Sequence, residues 1–266
     1  MNAASNLVNP FHTRGARAQV STLRILWSES RMEFLRLLRA PGFSVPIIAF
    51  PLMFYVLFAL VLGPPQASGG VARHLLAAYT AFGVMAPGLF GLGVSLAMDR
   101  DRGLLELKRA LPVPAGVYLA AKLVMASLFA AIVSVLLMGL AATAGQVVLD
   151  ALQWCRLFVL AVLGVLPFCS LGLLIGTLAP GQSAAAVVNM IYLPMSFMSG
   201  LLIPLSMLPH TLVRIAPLWP SYHLAQLAEG VMGGTTQSGF AVHAAALCAT
   251  GIVFFALARR RLSRLR

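Results

Sequence analysis

Six stretches of this 266-residue chain, near 43–62, 75–98, 117–142, 156–179, 184–203 and 239–258, are long, apolar and almost free of charge. A bilayer's hydrocarbon layer is about 30 Å thick, and about 20 helical residues cross it. Lipid offers no hydrogen bonds, so each such segment must satisfy its own backbone, which a helix does. The expectation is an all-α integral membrane protein with six transmembrane helices, read as a single transmembrane domain over 1–266. The chain is 60% hydrophobic and only 10% charged. Its mean hydropathy is +0.91, and a soluble domain of this size would lack the charge to cover its surface.

The formal charge of +12 would suggest nucleic acid in a soluble chain, but the placement of the charges points to topology instead. Arg14, Arg17, Arg24, Arg31, Arg36 and Arg39 precede the first span. Arg100, Arg102, Lys108, Arg109 and Lys122 fall in the 97–122 stretch, and Arg259, Arg260, Arg261, Arg264 and Arg266 in the tail. Only Arg73, Arg156 and Arg214 remain for the other side. Positive residues stay cytoplasmic, so both termini are expected there, with membrane lipid as partner and no nucleic acid. The first 40 residues carry six arginines and two glutamates before any long apolar run, unlike a secretory signal. Cys155, Cys169 and Cys248 have no metal-like spacing and read as buried small hydrophobes.

The seven carboxylates, Glu29, Glu33, Asp99, Asp101, Glu106, Asp150 and Glu229, all fall outside the six runs. An ion-coupled carrier commonly keeps such a group within the membrane, which lowers that reading. No G-x-x-x-x-G-K-[ST] phosphate loop is present, so energy for uphill movement would come from another chain. The segment 17–40 puts Leu23, Leu26, Trp27, Phe34, Leu37 and Leu38 on one helical face and Arg24, Ser28, Arg31 and Arg36 toward the other. That pattern fits an interfacial helix or one packed on a partner. In the loop 99–115, Leu104, Leu107 and Leu111 share a face after Asp101, and Pro112 and Pro114 end the helix. It is either a lever that a partner moves or a loop whose charges fix topology.

In the fifth run Asn189, Tyr192, Ser196 and Ser199 share a face, and in the second Thr80, Gly83, Pro87, Gly91 and Ser95 do. Such stripes line a path or glue helices together. Gly172 and Gly176 form a GxxxG that reads as packing. Pro46, Pro51 and Pro194 lie inside spans, where proline kinks a helix. The region 204–238 is interrupted by prolines and glycines and divides into two pieces, near 205–216 and 222–232, each too short to cross. His210, Trp219 and His223 within it read as interfacial anchors.

The motifs "RGLLELKRALPVPAGVYLAAKL" and "YLPMSFMSGLLIPLSMLPHTLVRIAPLWPSYHLAQLAEGV", with the N-terminal amphipathic helix and six spans, make nearly the whole chain resemble the ABC-2 type (type-2 ABC exporter) permeases. These are the membrane subunits of bacterial ABC transporters. The resemblance implies a bacterial inner-membrane subunit that pairs with itself or a similar permease and binds two copies of an ATP-binding subunit. ATP and Mg would sit on that partner, with no cofactor on this chain and no enzymatic activity of its own. It implies a coupling helix carried by Gly103, Leu104, Glu106, Leu107, Arg109 and Pro112, although Arg102 stands where the family often has Glu. It also implies an external re-entrant hairpin over 204–238, and a path lined by spans two and five through Thr80, Gly83, Asn189, Tyr192, Ser196 and Ser199. The stripe carries hydroxyls, one amide and methionines but no charged ring, which tilts the cargo toward an amphipathic or uncharged drug, lipid or natural product. A stand-alone secondary transporter or facilitator is the alternative. An intramembrane serine protease using Ser199 and His243 is a remote one, since Phe197 stands where that pattern needs glycine.

Overall fold

The computed structural model describes residues 22–63, 70–104, 107, 115–234 and 239–264, and among them every regular element is a helix. In chain order these are α1 (Thr22–Leu38), α2 (Pro41–Val61), α3 (Gly70–Asp101), α4 (Ala115–Thr143), α5 (Ala151–Leu178), α6 (Ala184–Met198), α7 (His210–Ile215), α8 (Pro220–Val231) and α9 (Phe240–Arg264). Five of them, α2, α3, α4, α5 and α9, are long and apolar enough to cross a membrane.

The fifth apolar run behaves differently from the other five. Its helix, α6, has 15 residues and rises about 22 Å, short of the hydrocarbon thickness. It ends because Gly200 takes φ +81, which lets its amide bond to the Phe197 carbonyl (3.2 Å) and that of Leu201 to Ser196 (3.1 Å). This is a Schellman stop, in which a left-handed glycine satisfies the last carbonyls of the helix. The first proline-rich piece that follows is further broken, into a 3₁₀ turn Leu205–Met207, α7 and a second 3₁₀ turn Ala216–Leu218.

Helix α3 is the central element. In its most apolar window 83% of residues are buried, against 11% for α9. It packs against α2, α4, α5, α6 and α8, while α9 lies outside against α5 and α8 and α1 packs on α4. Pro87 sits within α3 and has no N–H to give the preceding turn. The helix widens there into π turns over Pro87–Val94, a common way to absorb such a break. Helices α3 and α5 touch backbone to backbone: a Cβ on Gly172 would lie 2.5 Å from the Gly88 carbonyl oxygen, and one on Gly176 2.8 Å from that of Gly93. Small residues permit this approach where lipid gives no hydrophobic drive for association.

Two sequence expectations need correction. Cys155 and Cys248 are exposed and only Cys169 is buried, because the first two lie on outward faces of α5 and α9. On α1 the buried face is Ser30 and Glu33, with Phe34 and Leu37 packed beside the core, whereas Leu23 and Trp27 point outward. The apolar face read from the sequence is therefore split, since the helix turns a carboxylate toward partners on other helices.

Replacing Gly172 with alanine is expected to destabilise the protein by about 1–3 kcal/mol through overpacking. Gly139→Ala on α4, where a Cβ meets nothing within 4 Å, should not destabilise it. Thermal unfolding of both variants in detergent checks this.

Candidate functional site

The last turn of α3 carries Asp99, Arg100 and Asp101, and each holds a different neighbour. Arg100 donates to the Gly176, Thr177 and Ala179 carbonyls at 3.2, 2.9 and 2.8 Å. It thereby caps the C-terminus of α5, where orphan carbonyls and the helix dipole favour a cation. Asp101 accepts the Gly181 amide at 2.5 Å and pairs with Arg100 at 3.2 Å, fixing the turn that leads into α6.

Asp99 faces inward, toward α1 and α4. Its carboxylate meets the Lys122 ammonium at 3.0 Å and the Arg36 guanidinium at 3.4 Å, and it accepts the Tyr118 hydroxyl at 2.5 Å. Lys122, with no exposed surface, also reaches Glu33 at 3.4 Å and donates to the Ser95 hydroxyl at 2.9 Å. Arg36 closes the ring onto Glu33 at 3.1 Å. Two cations thus meet two anions, and α1, α3 and α4 are joined at one point. The sequence placed every carboxylate outside the spans and counted Lys122 with the loop. Asp99 and Asp101 form the last turn of the 32-residue helix α3, beyond the apolar run, and Lys122 on α4 is enclosed among carboxylates. Unpaired charges would be costly there, which is why they occur as a set.

Above this hub a cavity of about 770 Å³ opens between α1, α2, α3 and α6. Phe43, Phe50, Phe54, Phe82, Phe90, Tyr192 and Phe197 supply aromatic wall, Asn189 the one amide, and Arg36, Ser95, Asp99 and Arg102 the charged or polar end. The rings are mutually packed, Phe54 on Phe82 (5.9 Å between centroids) and Phe90 on Tyr192 (5.5 Å) edge to face.

Of the stripe on α6, the structure sends Asn189 and Tyr192 to this cavity. Ser196 is buried and its hydroxyl returns to the Tyr192 carbonyl at 2.7 Å. Ser199 bonds the Met195 carbonyl and the Ser221 hydroxyl of α8. Thr80 is buried and does not line the cavity, and at Gly83 a Cβ would lie 2.6 Å from Val133 and 3.0 Å from Pro51; both are turned into the interior. Gly103 ends α3 with φ +71. After it the Leu107 amide bonds to the Gly103 carbonyl at 3.2 Å, with Leu104 half-buried and Leu107 62% exposed. Glu106, Arg109 and Pro112 lie outside the described residues. The aromatic cavity wall and the hub were not read from the sequence; the only signal was the lone lysine early in the third run.

At the far end of α3, His74 pairs with Glu229 of α8, and Arg73 donates to the Val148 and Met232 carbonyls at 2.9 and 3.3 Å. His223 Nε2 meets the Pro217 carbonyl at 2.8 Å and its Nδ1 meets His243 Nδ1 at 2.8 Å. His243 is thus engaged with His223, while Ser199 is engaged with Ser221. His210 is exposed and Trp219 half-buried. Among the described residues no group of three or more His, Cys, Asp or Glu is placed to hold a metal.

Residues 25–232 match the family described as ABC-2 type transporter. The chain is 28% identical over 217 residues to the putative transport permease YvfS of Bacillus subtilis (strain 168), covering 80% of this chain and 88% of that protein. It is also 32% identical over 111 residues to nodulation protein J of Sinorhizobium fredii (strain NBRC 101917 / NGR234), covering 41% of this chain and 42% of that protein. Nodulation protein J of Rhizobium leguminosarum bv. viciae is 34% identical over 111 residues, with 40% and 42% covered.

Removing Lys122 alone strands buried carboxylates, so Lys122→Met should cost about 3–5 kcal/mol. Adding Asp99→Asn leaves Glu33 paired with Arg36 and should restore about half of that loss. A double-mutant cycle on thermal unfolding reads the coupling. A double variant no better than the sum of the singles would show that the four charges do not act as a unit.

Proposed function

The chain belongs to the ABC-2 type transporter family, and from that premise we propose that it is the permease subunit of an ABC exporter. In this reading it moves an amphipathic or uncharged compound, such as a drug, lipid or natural product, across the bacterial inner membrane. The observation that carries the proposal is the aromatic cavity between α2, α3 and α6, set directly on the charged hub at the end of α3. A cavity of this size and lining suits a drug-sized apolar body, and its polar end adjoins the segment that a motor would push.

In this proposal α6 is the fifth of six spans, completed by the chain that follows Gly200, and the pieces from Leu205 to Val231 form an external re-entrant hairpin. Irregular backbone at that depth is tolerated when protein covers it, and Arg73, His74 and Glu229 tie α8 to the outer end of α3. The arginine-rich ends of the chain and the 99–115 loop face the cytoplasm, in keeping with the charge asymmetry. Two ATP-binding subunits hold ATP and Mg2+ and do the hydrolysis, and two permease chains meet to form the path. The permease itself does no chemistry. Gly103, Leu104 and Leu107 belong to the contact with the motor: the Leu107 side chain stands in the open, and an exposed leucine suits a protein partner.

Replacing Leu104 and Leu107 with glutamate should abolish co-purification of the ATP-binding subunit while the permease still inserts and folds. Undiminished co-purification of that pair of variants would remove the coupling role. Asn189→Leu on the cavity wall is expected to change export kinetics severalfold, whereas Ser196→Ala, turned away from the cavity, should have little effect. Transport into inside-out vesicles checks both.

A further inference from the structure

The cavity is apolar over most of its wall and charged at one end only. Three charged side chains reach it there: Arg36, Asp99 and Arg102. Asp99 is 4% exposed and its oxygens are already engaged by Lys122, Arg36 and the Tyr118 hydroxyl, so its charge is neutralised from behind. Arg36 is shared with Glu33 and Asp99, yet 44% of its side chain remains exposed. Arg102 is exposed and has no carboxylate partner among the described residues. The charge presented to the cavity is therefore positive.

We propose that the cargo is an amphipathic anion. Its apolar or aromatic body lies against Phe43, Phe50, Phe54 and Phe90, and its acidic headgroup is held by Arg102 with Arg36 beside it. The inference rests on the transport reading above and narrows its substrate class.

Three alternatives fit the chemistry less well. A cationic amphipath would bring its ammonium to two guanidiniums, with the nearest carboxylate already paired. Ring faces can hold a cation, but here Phe54, Phe82, Phe90 and Tyr192 are packed against one another. A small inorganic anion would lose its water against the phenylalanines, with too few donors in return. A neutral apolar compound would fill the wall and leave Arg102 without a role. Guanidinium forks suit a carboxylate, sulfonate or phosphate, and long arginine side chains near a helix end reach such groups at the interface.

The test uses the full-length permease in phosphatidylcholine nanodiscs, with empty nanodiscs subtracted. The probes are 1-anilinonaphthalene-8-sulfonate and N-phenyl-1-naphthylamine, which share an aryl-amine body and differ by one sulfonate. Saturable binding should favour the sulfonate by about tenfold once lipid partitioning is corrected. Arg102→Gln should remove most of that preference and Arg102→Lys should restore much of it. Equal affinities, or a preference that survives Arg102→Gln, would overturn the proposal. Nanodiscs with about 30% phosphatidylglycerol separate cargo from bilayer lipid: loss of the sulfonate's binding there would make the occupant an anionic lipid and overturn the assignment to cargo. Adding the ATP-binding subunits keeps the two readings distinguishable. ATPase stimulation equal for both probes upholds transport and rejects the anion preference, whereas sulfonate-selective binding with no ATPase response rejects transport.

Discussion

Lys122 has no exposed surface, and its ammonium rests between Glu33, Asp99 and the Ser95 hydroxyl. Taking a charge out of water costs several kcal/mol even after relaxation. Attraction at about 4 Å returns about 4 kcal/mol per pair at an effective dielectric near 20. The two nearly cancel, so the hub contributes little net stability. What it contributes is position. Glu33 and Arg36 come from α1, Ser95 and Asp99 from α3, and Tyr118 and Lys122 from α4. None of these helices can slide or rotate without parting a buried ion pair. The set is balanced at two charges of each sign, and that balance is what makes the arrangement tolerable beside lipid.

Helix α3 carries this constraint along its whole length. At its N-terminal end Arg73 and His74 hold the 144–150 segment and α8, and at its C-terminal end Arg100 and Asp101 hold α5 and the turn into α6. Between the ends, glycines bring α3 and α5 into backbone contact. Interiors this close have no slack, so a displacement at one end moves packed neighbours rather than being absorbed. On the proposed reading, a push at Gly103 and Leu104 reaches α3 at the residues that also anchor α1, α4, α5 and the α6 turn. The π turns at Pro87–Val94 are the one stretch of α3 with non-α hydrogen bonding, and they lie level with Phe90 of the cavity wall.

The long apolar runs were legible because length and hydropathy alone decide whether a segment can cross lipid, and the Gly172–Gly176 pair was legible because its spacing is local. The early end of α6 was partly legible: Gly200 and Pro204 were in view, but the run of apolar residues beyond Ser199 outweighed them. The hub was hidden for a different reason. Arg36 and Asp99 are 63 residues apart, and Glu33 and Lys122 are 89 apart, so no window along the chain contains the pairing. A count of charges by side of the membrane assigns Asp99 and Lys122 to a loop because each, taken alone, would be too costly to bury. The stripe Asn189–Ser199 was read as one face, and the structure divides its side chains between the cavity and the interior. Spacing could not show that Ser196 bonds back to its own helix or that Ser199 finds Ser221, while Asn189 and Tyr192 line the cavity.

Arg36, Ser95 and Asp99 belong to both structures, the wall of the cavity and the ring of charges. Two sites that share residues cannot be energetically independent. A ligand that draws Arg36 toward the cavity weakens its hold on Glu33 and Asp99, and a movement of α3 that loosens the ring frees Arg36 for the ligand. Linkage makes these effects equal in free energy: whatever the ring loses on occupancy, occupancy loses when the ring is tightened. A coupling of 1–3 kcal/mol is typical of such pairs, and one charge-assisted hydrogen bond is of that size. The same guanidinium therefore suffices, without any longer chain of contacts, to let the state of the cavity bear on the state of the C-terminal end of α3, where the proposed motor contact begins.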